Sequence, residues 1–157
     1  MTIEKKHITR LIDQLKKDQI QRVVVGAVLF NPKGEVLVLK RSKSESFMSG
    51  IWEIPSGKVE DDEDIVHALT RETKEETGLE IASVEAYLGY FDYNSKSGTL
   101  TRQLNFLVKS IGSDVVIQPN EHEAFQWIPC EDSKKLKELG VTATPDILSA
   151  RNLNLKK

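Results

Sequence analysis

GKVEDDEDIVHALTRETKEETGL, residues 57–79, decides how this chain is read. Its second half carries the punctuation of a helix. Asp64 stands where an N-cap would, and Asp61, Asp62 and Glu63 place negative charge near the positive end of the dipole. Gly78 stands just past the other end, where a left-handed residue closes helices. A helix is therefore predicted over Ile65 to Thr77. At about 100° per residue, Glu75 falls about 60° to one side of Glu72 and Glu76 about 40° to the other. Three carboxylates thus share one arc, where like charges destabilise a bare helix and oppose its dipole. Val66, Leu69 and Thr73 form the neighbouring arc, suited to packing on a sheet. Carboxylates held beside a buried face can bind a hard divalent cation. A solvated acidic face is the alternative for this helix alone.

Outward from it, strands dominate. Arg22 to Phe30 is a β-rich apolar run. Asn31-Pro32-Lys33-Gly34 reads as a turn and Glu35 to Lys40 as a second strand, so the pair is expected to form a hairpin. Residues 42–50 read as a loop, and Ile51 to Ile54 as a short strand stopped by Pro55. Further strands are expected at Ile81 to Tyr93, Thr99 to Lys109, Val115 to Ile117 and Phe125 to Ile128. Helices are expected over Glu131 to Leu139 and from Pro145 to Leu153. Near the start, Ile8, Leu11, Ile12 and Leu15 make one apolar stripe on a helix over residues 3–18. It reads as cover for the core, with a homodimer contact as the alternative. The fold class is α+β.

Composition excludes several classes. The 157 residues carry 22 Lys and Arg against 24 Asp and Glu, a net charge of -2, which argues against a binder of nucleic acid polymers. The longest apolar run, Val23 to Phe30, is far short of the roughly 20 residues a membrane span needs. The first ten residues show no secretory pattern, and the single cysteine, Cys130, excludes an internal disulfide and reads as an inert small hydrophobe. A cytoplasmic, membrane-free protein is expected.

Gly57, Glu63, Arg71, Glu72, Glu75, Glu76, Gly78 and Leu79 fall in the pattern G-x5-E-x7-R-E-T-x-E-E-x-G-L. This resembles the Nudix box, the signature of the Nudix hydrolase family, and the chain is similar to its MutT-like members. Thr73 stands where the family usually has an aliphatic residue. Trp52-Glu53-Ile54-Pro55-Ser56-Gly57-Lys58-Val59-Glu60 resembles the family's W-x-x-P-G-G-x-x-E approach, with Ser56 in place of the first Gly. A positive φ there would suit Ser poorly. Glu121-His122 with Trp127 resembles the late E-H-x-x-x-x-W stretch.

The resemblance implies an α/β/α sandwich with a mixed central sheet, residues 21–157 forming the domain and 1–20 a helical extension. It implies a Mg2+-dependent pyrophosphohydrolase, with Mn2+ able to substitute. The substrate is a small nucleotide, and nucleoside triphosphates are expected to yield monophosphate and pyrophosphate. ADP-ribose or dinucleoside polyphosphate hydrolysis is the alternative, although Ser95, Lys96 and Ser97 occupy the positions of those subgroups' Pro or Tyr markers. A non-catalytic nucleotide sensor is another, although such modules lose box glutamates that this chain keeps. Position by position, Glu75, Glu76 and the Ser56 carbonyl are implied metal ligands, and Glu72 a ligand or the base. Arg71 is implied to orient a box carboxylate. Glu63 is read as structural or outer-sphere, and Gly57 and Gly78 as backbone-geometry residues. Glu121, rather than Glu123, is the loop base or extra ligand. Arg41, with Lys40 and Lys43 as alternatives, is expected to meet phosphate, and Trp52, Ser56 and Gly57 to contact substrate. Phe47, Tyr90, Phe91 and Tyr93 are further stacking candidates. His7, His67 and His122 show no zinc-like spacing.

Overall fold

Residues 22–30 are apolar on both alternating faces, as a strand covered on both sides must be. They form β1 (Arg22–Phe30) within a seven-stranded mixed sheet. The computed structural model describes residues 3–45, 48–129, 131–141, 143, 145–147 and 149–150. Ahead of β1 lies α1 (Lys5–Lys17). After it come β2 (Glu35–Arg41), β3 (Trp52–Glu53), β4 (Ser56–Lys58), α2 (Ile65–Thr77), β5 (Glu80–Asn94), β6 (Leu100–Ile111), β7 (His122–Pro129) and α3 (Ser133–Leu139). β1 runs parallel to β6, and the other pairings are antiparallel. No helix among the described residues is long and apolar enough to cross a membrane.

The period of two along β1 divides the core into two layers. Val25, Ala27 and Leu29 pack with Leu15 of α1 and with Ile65, Ala68 and Leu69 of α2. Val28 and Phe30 pack on the opposite face with Leu136 of α3, Ile147 and Ala150. Helices thus cover both faces of the mixed sheet, which is the sandwich expected above. The caps of α2 also agree with the sequence: Asp64 accepts the His67 N–H at 2.9 Å, and Gly78 is left-handed with φ 74°.

One irregularity in the sheet creates the site. β1 and β2 pair at Phe30 and Val36 beside their turn. Farther along, β1 instead pairs with β4 at Val24 to Gly26, and β2 with β3 at Leu39 and Lys40. The two strands have parted, and residues 52–58 cross the gap from one to the other. The Pro55 carbonyl accepts the Ala27 N–H at 2.8 Å, and buried Ile54 fills the wedge.

Some elements depart from expectation. Ser56–Lys58, past the strand stop expected at Pro55, is β4, because the opened edge of β1 offers it a ladder. Residues 115–117 form no strand: Val115 and Ile117 pack on the core, while Val116 donates its N–H to the Thr77 carbonyl at 2.8 Å. β7 begins at His122, earlier than its apolar part suggests, because it pairs with β2 as far as Arg41. Beyond Pro145 the chain is helical at 145–147 and 149–150. Phe47, Cys130 and the end of the helix expected from Pro145 lie outside the described residues.

The stripe of α1 faces the core of its own chain, with Ile8, Leu11 and Ile12 partly buried around Leu15. The helix end is tied to the sheet by Arg102, which donates to Asp18 at 2.7 Å and forks onto Asp92 at 2.7 and 2.9 Å. Leu15→Ala should lower unfolding stability by about 2–3 kcal/mol, the cost of a buried cavity. Urea denaturation reads this directly; an unchanged midpoint would show that α1 contributes nothing to the core.

Candidate active site

Glu76 points from the last turn of α2 into the gap between β1 and β2. It is 6% exposed, and its Oε1 accepts the Ser56 N–H at 2.7 Å. Ser56 pairs with Gly26 as a strand residue and lies outside the left-handed region, so Ser in place of Gly brings no backbone strain. Burial pushes the Glu76 carboxyl well above the usual range; the Ser56 N–H opposes this, and the charges of Glu53, Glu121 and Glu72 add to it.

Glu72 lies one turn earlier, over Gly57. A Cβ on Gly57 would overlap the Glu72 carboxyl, so the glycine provides space rather than an unusual φ. Burial also raises the Glu72 carboxyl, with Arg71 pulling the other way through its Nη1, 2.8 Å from Oε1. Arg71 forks onto Glu63 with two bonds of 2.8 Å and donates to the Lys58 carbonyl at 3.0 Å. Glu63 also accepts the Glu60 N–H and contacts His67 Nδ1 at 2.7 Å. Its carboxyl is held far below the usual range, chiefly by Arg71. Glu63 and Arg71 therefore buttress the loop before α2 and orient Glu72. Glu75 is more exposed, 3.4 Å from Arg71 Nη1.

Two residues in this cluster were not singled out from sequence. His122 is buried, with Nε2 2.8 Å from Glu53 Oε2 and Nδ1 3.9 Å from Glu76 Oε2. Among the described residues, Nδ1 has no hydrogen-bond partner. Glu53 also meets Arg41 at 3.4 Å. Ligand atoms of Glu76, Glu121 and His122 lie within 4.8 Å of one another, close enough to hold a metal ion. Zinc-type spacing could not find His122, because its partners come from β3 and α2. Its position next to Glu121 was the available signal.

Beside the cluster lies a cavity of about 480 Å³, in the size range of small-molecule sites. Ser56 and Gly57 line it on one side, and Phe91 and Tyr93 of β5 on another. Arg22, Arg41, Lys58 and Lys96 bring positive charge to its lining, against the single carboxylate of Glu53. Arg41 meets the cavity while paired with Glu45 and Glu53. Trp52 stands apart, packed on the α3-side core, and Tyr90 lies under the Arg102 guanidinium, 4.0 Å from its ring centroid. Lys40 pairs with Glu123 at 3.9 Å, and Glu123 accepts the Lys43 N–H at 3.0 Å.

A family model described as the NUDIX domain matches residues 20–147. The chain is 31% identical over 120 residues to Nudix hydrolase 2 of Arabidopsis thaliana, covering 76% of this chain and 43% of that protein. It is 31% identical over 143 residues to the RNA pyrophosphohydrolase of Gluconacetobacter diazotrophicus, covering 78% of this chain and 84% of the relative. The chain thus spans less than half of the plant relative. Among solved structures, the MutT protein of Methanosarcina mazei superposes with a TM-score of 0.70 at 26% identity, over 87% of this chain and 96% of that one.

A carboxyl whose folded-state pKa is raised contributes fully below the ordinary glutamate value of about 4.3 and loses that contribution as pH climbs through the raised value. Burying ionised Glu76 is the cost. In metal-free buffer, Glu76→Gln should therefore gain in Tm over the parent from pH 5 to pH 8, by about 2–4 °C per kcal/mol relieved. A difference that stays flat with pH would mean that Glu76 is not a strained buried carboxylate.

Proposed function

The chain belongs to the Nudix family, and we propose that it is a divalent-metal-dependent pyrophosphohydrolase of small nucleotides, with nucleoside triphosphates cleaved to monophosphate and pyrophosphate. The observation that carries this reading is the carboxylate cluster set beside a cavity lined by four cations, the two joined through Ser56, Gly57 and Glu53. The acidic side suits a metal and the basic side suits phosphates.

The residues fit a hard cation. Glu76 is buried among the charges of Glu53, Glu72 and Glu121, and His122 Nδ1 beside it has no hydrogen-bond partner among the described residues. Such oxygen-rich, under-neutralised surroundings are what Mg2+ prefers. Glu72, Glu75, Glu76 and the Ser56 carbonyl would hold it, with Glu121 adjoining. When bound, Mg2+ would neutralise phosphate oxygens and lower the pKa of a bound water.

The chain's own groups divide the remaining work. Arg71 fixes the Glu72 carboxylate through Nη1, restricting it to one geometry before substrate arrives. Arg41, at the cavity edge, offers a guanidinium to phosphate oxygens. Glu121 makes no ion pair among the described residues, whereas Arg71 draws on Glu72. Glu121 is therefore the better acceptor for the proton of the attacking water, while Glu123 is already engaged by the Lys43 N–H and Lys40.

The substrate reading is checked with the eight common nucleoside triphosphates, oxidised guanine nucleotides, ADP-ribose and diadenosine polyphosphates, in Mg2+ at mildly alkaline pH. Release of pyrophosphate from at least one triphosphate is expected. Turnover of ADP-ribose alone would overturn the triphosphate assignment, and no turnover of any compound would point to a nucleotide sensor. Calorimetry should also show Mg2+ or Mn2+ binding lost in the Glu75→Gln, Glu76→Gln double variant.

Glu121→Gln should lower kcat by about a hundredfold or more, the usual range for a lost proton acceptor. Glu123→Gln should change it by less than about twofold, as exposed ion pairs contribute little. Equal small effects would return Glu121 to the solvated surface.

A further inference from the structure

The cavity wall continues a sheet face whose other end is apolar. Strand register aligns Arg22 with Thr101 and Tyr93, Val24 with Gln103 and Phe91, and Gly26 with Asn105 and Gly89. Alternation places these on the same side of β1 as Val28, which is buried under the α3 layer. Near the cavity the same face turns polar, with Gln103 and Asn105 both buried.

These two amides form a directed chain. Asp146 Oδ2 accepts from Asn105 Nδ2 at 2.6 Å, and Asn105 Oδ1 accepts from Gln103 Nε2 at 2.9 Å. An ionised carboxylate only accepts, so Asn105 must turn its NH2 toward Asp146 and its oxygen toward Gln103. That oxygen also only accepts, so Gln103 must give it the NH2. The atom left over is Gln103 Oε1, which accepts no hydrogen bond among the described residues. Gly26 keeps the chain in place by absence: a Cβ there would press on Asn105 Oδ1, Gln103 Nε2 and Ile54.

One residue row away, Arg22 also lines the cavity. The rings of Phe91 and Tyr93, with centroids 5.8 Å apart, stand alongside. An anchored acceptor on the cavity lining, next to an aromatic wall, suits a flat polar heterocycle.

We propose that Gln103 Oε1, oriented by Asn105 and Asp146, reads a nucleobase by accepting one of its N–H groups, beside the rings of Phe91 and Tyr93. This rests on the reading of the site as one for nucleotides, and it names the base as the group that the cavity selects. Substrates whose second group is a sugar or a further phosphate lack the flat N–H edge that such an acceptor beside aromatic rings would read.

Calorimetric binding tests this without turnover. The probes are GMP, AMP, UMP, CMP, purine riboside 5′-monophosphate, which has ring acceptors and no base donor, and ribose 5-phosphate, which has no base. The parent protein should bind at least one of the first four about tenfold tighter than the last two, the scale of one buried hydrogen bond. Gln103→Met should collapse that preference toward the ribose 5-phosphate value. Asp146→Asn can donate as well as accept, so the amide chain can reverse and present the Gln103 NH2; purine riboside monophosphate should then gain on the others. Equal binding of all six by the parent, or an undiminished preference in Gln103→Met, would overturn the assignment. Failure of the hydrolysis panel alone would overturn the enzymatic reading and leave this binding result standing.

Discussion

The 2.7 Å hydrogen bond from the Ser56 N–H to Glu76 Oε1 joins two things that would otherwise avoid each other: a carboxylate and the interior of a sheet. A buried carboxylate with only partial compensation opposes folding. It is tolerated here because β1 and β2 part and residues 52–58 cross between them, turning one backbone N–H toward α2. Other features of the site follow from that geometry. Gly57 must lack a side chain because Glu72 descends beside Glu76 on the same helix face. Glu53 reaches His122 because β3 pairs with the parted end of β2. Sites assembled for function commonly keep such local costs.

The legible parts of this molecule are those whose physics is local. The start and stop of α2 depend on Asp64 and Gly78, each within a few residues of the helix, and both act as their types suggest. β1 could be bounded from its own residues because both its faces are buried. What escaped reading depends on partners distant in the chain. β4 is three residues after a proline and is a strand only because β1 has an open edge there. Val115 and Ile117 have strand-like composition, yet they serve as apolar cover without a ladder. The box carboxylates were visible as an arc on a helix. Glu53 and His122, 69 residues apart, meet only through the pairing of β3 and β7 with β2.

The same period of two that builds the core also builds the cavity. Along β1, Val28 and Phe30 lie under the α3 layer, while Arg22 and Val24 line open space on that face. No break in the strand separates the two regions; only the side chains change. Gln103 and Leu107, four residues apart on β6, repeat the contrast, one at the cavity and one in the core. The β6 part of that wall is stiff, because β6 is held by ladders to β1 on one side and β5 on the other. An amide on such a wall can be aimed by one neighbour, as Gln103 is by Asn105.

The two halves of the site carry opposite charge, and this constrains how ligands can occupy it. Phosphate approaching Arg41 and Lys58 also approaches Glu53, Glu72 and Glu76, and the Glu76 carboxyl is already raised by its burial first and by the neighbouring carboxylates second. Anion binding on the basic side is therefore opposed by the acidic side until a cation neutralises it. Conversely, a cation among those carboxylates leaves positive charge unmatched until an anion arrives. Each ligand strengthens the other by the same coupling free energy. In the proposed reading, a polyphosphate and its divalent ion are thus favoured as a joint ligand over either alone. The proposed contact to the base is made by the uncharged Gln103 amide and the rings of Phe91 and Tyr93 rather than by the charged groups of that pair, so choice of base and capture of phosphate rest on different side chains in this fold.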